Sequence, residues 1–373
     1  MIALITDVHA GEKSFNKSIF NLQMDFFREQ FFPFVLKHGI KHVLHLGDFV
    51  HNRSIIDLLI LGRVKKEFFA WFDENDVILH TIIGNHDTYF KNSIHPNFFS
   101  ENVKEFNNIR VYTEPSRIVV DDVKIGMIPW ILKGEELLIP GDVEVVCGHF
   151  DIINFPMHSS GMKSSEGFEK SEFKNYELVL SGHYHTKSND GNIRYLGTPY
   201  QLSWSDFGID KGFWVLQDKE IKFVPNDKSP RFLKIFYREV GGIEELRISG
   251  LKKDKSKKCT REETLKIVKN NFVKLIVEKI TDHKQFDDFY SALSESSKDD
   301  YKIEIIDTEE LICIDDENIS NEEFEAGNIL KSIMQYIDVM KFPDNISKKI
   351  LLDICSKLYM QAEESKVDIQ TSC

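Results

Sequence analysis

Near its start the chain carries an unbroken apolar run, Ile2-Ala3-Leu4-Ile5, which predicts a buried strand. Asn21 to Leu36 is rich in phenylalanine and amphipathic, so a helix is expected there, broken near Pro33 and stopped at Gly39. Val43 to Leu46 predicts a second strand, Ile55 to Phe72 a second helix and Val77 to Ile83 a third strand. This βαβαβ order implies a parallel or mixed sheet with helices on its faces.

The pattern then changes. Arg117 to Val120, Lys124 to Ile128, Val143 to Cys147, Leu178 to Ser181, Ile193 to Leu196 and Gly212 to Leu216 are short runs joined by turn-rich segments. They predict a second sheet. The expected fold class is α/β, in α+β layers: a β-sandwich flanked by helices. A new character begins around Asn226 to Pro230, with strands expected at Phe232 to Tyr237, Phe272 to Val277 and Tyr301 to Ile306. After the acid-rich stretch Asp315 to Glu325, Ile329, Ile333 and Ile337 recur at helical spacing, as do Ile346, Ile350, Ile354 and Leu358. Three regions are therefore expected: a sandwich over 1–225, a smaller mixed α/β cap over 226–320 and a helical pair over 321–373.

Composition narrows the class. The net charge of −13 argues against nucleic-acid binding by the whole surface and leaves room for a local basic patch. Lys252, Lys253, Lys255, Lys257 and Lys258, with Arg247 and Arg261, form the most basic stretch. It reads either as a solvated loop or as a contact to a phosphate backbone. Cys147, Cys259, Cys313, Cys355 and Cys373 are scattered, which argues against a disulfide scaffold and a zinc knuckle. No segment approaches the roughly 18 apolar residues of a membrane span. No leader pattern precedes Ile2, so a cytoplasmic protein without a membrane anchor is expected.

The chemistry gathers after the strands. Asp7-Val8-His9, Gly47-Asp48, Gly84-Asn85-His86-Asp87, Gly148-His149 and Gly182-His183-Tyr184-His185 each stand where a buried run ends. Loops at strand ends are held rigidly yet open to solvent. Carboxylates and neutral imidazoles suit manganese, iron or zinc. The set is too large for one ion, and a shared carboxylate could bridge two ions roughly 3.5–4 Å apart, a spacing that clamps a phosphoryl group. A single histidine after a strand is ordinarily a turn or surface residue; five such clusters in series are not. His51, three residues after Asp48, lies within reach of the same pocket, whereas His42, His45 and His80 sit in or beside strands and read as structural.

Taken in order, Asp7-x-His9, Gly47-Asp48-x-x-His51, Gly84-Asn85-His86-Asp87, Gly148-His149 and Gly182-His183-x-His185 resemble the calcineurin-like metallophosphoesterase superfamily. Within it the chain is similar to the nuclease subunits of DNA double-strand-break processing complexes, in particular those of tailed phages. Thr81 to Phe90, Leu180 to Thr186, Gly197 to Gln201 and Gly212 to Trp214 carry that likeness; the phosphoesterase resemblance covers about residues 1–225, and the phage-type resemblance extends, less specifically, through the paired C-terminal helices. The resemblance implies that Asp7, His9 and His185 bind one ion, that Asp48 bridges, and that Asn85, His149 and His183 bind the second. It implies two divalent ions, manganese first, with magnesium, iron or zinc as alternatives. It gives His86 a role at the phosphate and leaving oxygen, oriented by Asp87, and gives His51 a phosphate contact. It further implies a manganese-dependent DNA exonuclease and endonuclease, acting in recombination, repair and replication, in the host cytoplasm if phage-encoded. The implied partners are DNA and a Rad50/SbcC-like coiled-coil ATPase bound through the two C-terminal stripes, and a homodimer is left open. The motifs alone do not separate this from a phosphomonoesterase or small-molecule phosphodiesterase, or from a non-catalytic protein-binding module.

Overall fold

A computed structural model describes residues 1–11, 17–157, 163–251, 256–269 and 271–296, and the backbone of 303–307. The first sheet is built from β1 (Ile2–Ile5), β2 (His42–His45), β3 (Ile78–Ile82), β4 (Ile109–Tyr112), β11 (Gly212–Gln217) and β12 (Glu220–Pro225). Its order is β12-β11-β1-β2-β3-β4, with β1 to β4 parallel. The second sheet uses β5 (Ser116–Val120), β6 (Val123–Ile128), β7 (Val145–Gly148), β8 (Leu178–Ser181), β9 (Ser188–Asp190) and β10 (Ile193–Tyr195), in the order β5-β6-β7-β8-β10-β9. The two six-stranded sheets face each other as a sandwich in an α/β layered fold.

One expectation is corrected here. Gly212 to Leu216 was expected in the second sheet, but β11 lies in the first, antiparallel to β1 with Ala3 opposite Val215. It covers the free edge of β1, and its alternating residues serve two cores: Phe213 and Val215 face the helices, Leu216 the sandwich interior. The run at β1 is unbroken for the same reason. Ala3 and Ile5 pack under the helices, while Ile2 and Leu4 pack between the sheets.

Helix α1 comprises Lys17–Phe26, a π turn over Phe27–Phe31, and Phe32–Lys37. Pro33 does not break it. The Phe32 N–H bonds back to the Phe27 carbonyl, and this wider turn absorbs the proline that an α-helical interior would reject. Helix α2 (Leu58–Arg63, a π turn at Val64–Phe69, Ala70–Glu74) starts where the Asp57 carboxylate accepts the Leu59 and Ile60 N–H groups, at 2.8 and 3.1 Å. Together with the short α3 (Phe98–Asn102), these helices bury Phe26, Phe27, Phe31, Phe68, Phe69 and Phe99 against the first sheet. Burying a phenylalanine contributes roughly 1.5–3 kcal/mol, so this layer anchors the loops at the sheet's edge.

A third sheet follows, ordered β15-β14-β13-β16-β17: β13 (Phe232–Val240), β14 (Ile243–Ser249), β15 (Lys257–Cys259), β16 (Phe272–Lys279) and β17 (Ile303–Asp307). Helices α4 (Arg261–Val268) and α5 (His283–Ser296) cover it, and Phe289 and Leu293 are fully buried in its core. It joins the sandwich through the Phe232 N–H donating to Gln201 Oε1 at 2.7 Å and an Arg231–Asp210 ion pair at 2.9 Å. Among the described residues, no helix is long and apolar enough to cross a membrane.

Candidate metal centre

The polar clusters emerge at the C-terminal ends of parallel strands. Asp7 and His9 follow β1, Asp48 and His51 follow β2, and Asn85, His86 and Asp87 follow β3. From the second sheet, His149 follows β7, and His183 and His185 follow β8. Crevices at such strand ends are where open parallel sheets bind ligands. The loops are tied to one another: Asp7 N–H donates to Gly47 O at 3.0 Å, His9 N–H to Asp48 O at 3.1 Å and Gly182 N–H to Gly148 O at 3.0 Å.

Local backbone conformation is spent on this convergence. Asp7, His9, Asp48 and His183 have φ of 51°, 47°, 57° and 87°. Residues with side chains avoid that region at a cost on the order of 1 kcal/mol each, and such strain concentrates at functional sites. The leading glycines have a steric reason. A Cβ on Gly84 would lie 2.3 Å from Asp48 Oδ1, and one on Gly47 would lie 2.6 Å from His149 Nδ1.

Two groups of donor atoms result. Asp7, His9 and His185 present atoms within 4.8 Å of one another, as do Asp48, His149 and His183. In the first group His9 Nε2 faces His185 Nε2 at 2.9 Å, and Asp7 Oδ1 lies 3.9 Å from His9 Nε2. In the second, Asn85 Oδ1 is 3.0 Å from both His149 Nε2 and His183 Nδ1. Asp48 Oδ2 lies 3.9 Å from His9 Nε2 and 3.3 Å from His149 Nε2, so one carboxylate faces both groups.

This donor set fits divalent cations. The Leu46 carbonyl can only accept, so His149 Nδ1–H donates to it at 2.7 Å and Nε2 is left aimed at the cluster. Burial pushes His183 down to about 3 and His185 to about 4, and holds His9 well below the usual imidazole range. Neutral imidazoles keep the lone pairs that a metal needs. Burial alone would raise Asp48, yet His149 and then His9 hold it well below the usual carboxylate range. Burial would likewise lower His149, but Asp48 raises it to about 9. The point between Asp48 and the imidazoles therefore attracts positive charge. Asp7 is pushed up to about 7, by burial first and by neighbouring Asp48.

His86 and His51 stand beside the first group, with the His86 ring centroid 4.9 Å from that of His9 and 5.6 Å from that of His51. His9, His51 and His86 also present nitrogens within 4.8 Å of one another. His86 Nδ1–H donates to the His51 carbonyl at 2.6 Å, and the His86 N–H donates to Asp48 Oδ1 at 2.7 Å.

Asp87, expected to orient His86, is engaged by the backbone. Its carboxylate accepts the backbone N–H groups of Asp48, Phe49, Val50 and Gly84 at 2.9 to 3.2 Å. It pins the two loops together, and the His51 carbonyl holds the His86 ring. The structural histidines stand as expected: His42 Nδ1 meets His80 Nε2 at 3.1 Å and His45 Nδ1 meets Thr81 Oγ1 at 2.9 Å.

Several supporting residues were not anticipated. Thr6 Oγ1 donates to Asp7 Oδ2 at 2.7 Å. Gln23 Nε2 and the Tyr200 hydroxyl hold the Val8 carbonyl at 3.1 and 2.6 Å, and Lys211 Nζ holds the His185 carbonyl at 2.7 Å. Trp130 lies with its ring centroid 5.1 Å from that of His183. The only available sequence signals were the Gly197 to Gln201 segment and the position of Trp130 just after the run ending at Ile128.

Of the residues expected to meet DNA, the described ones face carboxylates. Arg247 pairs with Glu278 and Arg261 with Glu244, both at 2.5 Å. Lys257 pairs with Glu263 at 3.5 Å and Lys258 with Glu245 at 3.9 Å. Lys252, Lys253 and Lys255 lie outside the described residues, as do the stripes from Ile329 to Leu358.

Known proteins are similar to this chain in sequence to different extents. The chain is 33% identical over 228 residues to exonuclease subunit 1 of Enterobacteria phage T4, which covers 59% of this chain and 66% of that protein, just short of two thirds. It is 37% identical over 62 residues to the DNA double-strand break repair protein Mre11 of Nanoarchaeum equitans, 17% of each chain. A crystal structure of a protein of unknown function from Aquifex aeolicus aligns with 52% of this chain and 82% of its own at 17% identity, with a TM-score of 0.24, too low to speak for a shared fold. Residues 1–187, half of the chain, match the model of the calcineurin-like phosphoesterases. With the strand-end clusters inside that span, the chain belongs to the calcineurin-like phosphoesterase family.

Proposed function

We propose that the chain is a manganese-dependent DNA nuclease that hydrolyses phosphodiester bonds with two ions. The observation that carries this is Asp48, a buried carboxylate facing two groups of nitrogen and oxygen donors. In this reading Asp7, His9, Asp48 and His185 hold one ion, and Asp48, Asn85, His149 and His183 the other. Bound there, the ions supply charge neutralisation at the phosphodiester and an acidified water. The chain's own residues do the rest. With Nδ1 engaged by the His51 carbonyl, His86 Nε2 is the nitrogen left to hold a proton. As water attacks phosphorus and the P–O bond breaks, that proton passes to the leaving oxygen. His51, beside it, contacts the phosphate. Asp87 keeps the Asp48 and Gly84 loops in register through its backbone bonds.

The similarity to a phage exonuclease subunit favours duplex ends as the substrate, with endonuclease activity as a second mode, in recombination, repair and replication. It also favours work within a complex, for which a Rad/Smc-like coiled-coil ATPase docking on the C-terminal stripes is the candidate partner. The test is digestion of end-labelled duplex and single-stranded DNA with manganese, beside a generic aryl phosphate, with and without the ATPase. Manganese-dependent cleavage of DNA well above turnover of the monoester is expected. Efficient monoester turnover with intact DNA would replace the reading with a phosphomonoesterase.

A further inference from the structure

Arg53 stands apart from the other cations near the centre. In a chain of net charge −13, most described arginines are spent on carboxylates, as Arg63 is on Glu67 and Arg231 on Asp210. Among the described residues, Arg53 has no carboxylate within ion-pair distance; its Nη1 donates to the Thr88 hydroxyl at 3.2 Å. It is half-buried two residues after His51, and Thr88 lies two residues after His86. The chain then turns outward. Tyr89 and Phe90 are each 49% exposed, with their rings edge-to-face at 4.7 Å. Their turn is pinned by the Tyr89 N–H donating to Pro96 O at 3.1 Å and by a bridge between Thr88 and Asn97.

A cation without a carboxylate partner and a pair of open rings thus share one ledge beside His51 and His86. An arginine fork fits phosphate oxygens, and exposed aromatic faces stack unpaired bases regardless of sequence. We infer that this ledge carries the nucleic-acid strand next to the cleaved bond: Arg53 takes the phosphate adjacent to the scissile one, and Tyr89 and Phe90 take an unstacked base. Ile55 and Leu58, shortly after Arg53 in the chain, are 61% and 82% exposed, so a second copy of this chain is the rival occupant. The arginine at the ledge favours the anionic strand. The inference rests on the nuclease reading.

The experiment uses the full-length protein with manganese and a nuclease-resistant phosphorothioate single strand, with binding measured across salt concentrations. Arg53→Ala should lower affinity and flatten the slope of log K against log salt by about 0.7, the share of one single-strand phosphate. Arg53→Lys should restore the slope. Replacing Tyr89 and Phe90 by serine should weaken binding about tenfold and leave the slope unchanged. An unchanged slope in Arg53→Ala overturns the phosphate contact, as does loss of bound manganese in that variant. Conversion of a dimer to a monomer by the serine pair, with DNA affinity kept, assigns the rings to a second copy and overturns the stacking. Hydrolysis of bis(4-nitrophenyl) phosphate by the wild type needs no ledge. Its absence would sink the nuclease reading, whereas its presence with unchanged binding in both variants would sink the ledge alone.

Discussion

The sandwich and the third sheet both bury carboxylates, and they treat them in opposite ways. Glu239, at the end of β13, accepts from the Tyr237 hydroxyl, the Thr281 N–H and hydroxyl, and the Asp282 N–H, all at 2.5 to 2.7 Å. Its charge is satisfied by the fold itself. Asp48 has one backbone donor on Oδ1 and turns Oδ2 toward imidazole nitrogens. Its counter-charge in the absence of an ion is the proton that His149 takes up, which a metal cation can displace. The first arrangement reads as architecture and the second as a site. The backbone agrees: Asp7, His9, Asp48 and His183 hold the left-handed conformation with side chains attached, whereas after Glu239 it is taken by Gly241 and Gly242, which lack one.

The largest effect should come from the carboxylate shared by both groups. Asp48→Asn is expected to lose far more nuclease activity than the roughly 100-fold typical of outer-shell changes, and to weaken binding of both ions. Turnover close to wild type would end the bridging role and erase the contrast with Glu239. Next comes His86→Ala. It should keep manganese and DNA affinity while the single-turnover rate falls about 100-fold or more, as for a lost general acid. Loss of an ion would instead make His86 a ligand within the grouping with His9 and His51.

Glu239→Gln probes the other side of the comparison. Burial would raise this carboxyl, but the Thr281 and Tyr237 hydroxyls and two backbone N–H groups hold it down to about 2, below its ordinary 4.5. A depressed carboxyl contributes stability that is present above about 4.5 and is lost as pH falls toward about 2. The variant should melt about 5 °C or more lower at neutral pH, with the gap closing on acidification, and its bound manganese should not change. A gap independent of pH would mean that the charge is not what matters. The smallest effect is expected from Lys257→Gln with Lys258→Gln. Both lysines already face glutamates, so DNA affinity should move by no more than about twofold. A large loss would return this stretch to the DNA-contact reading.

What could be read from the sequence follows from the same physics. Parallel strands buried on both faces leave unbroken apolar runs, so β1 and β8 were visible, and polar clusters set directly behind such runs were visible with them. The sheet to which β11 belongs was not, because its apolar run suits either layer and only the return of the chain to the edge of β1 decides it. The π turn that carries Pro33 was hidden as well, since composition does not tell a widened turn from a break. The partners of Asp87 were hidden too, because they are backbone N–H groups brought in from the Asp48 loop and no side-chain pattern records them. The glutamates opposite Arg247 and Arg261 were equally invisible: Glu278 is 31 residues from Arg247 and Glu244 is 17 from Arg261, joined by sheet pairing and a helix crossing. Local runs were legible, and partners supplied by tertiary return were not.

The two-ion centre stands or falls on how many ions Asp48 gathers. Manganese bound per chain, measured by calorimetric titration and checked by elemental analysis of the loaded protein, should be two for the wild type and fewer than two for Asp48→Asn. A single ion in the wild type, or an unchanged count in the variant, would contradict it.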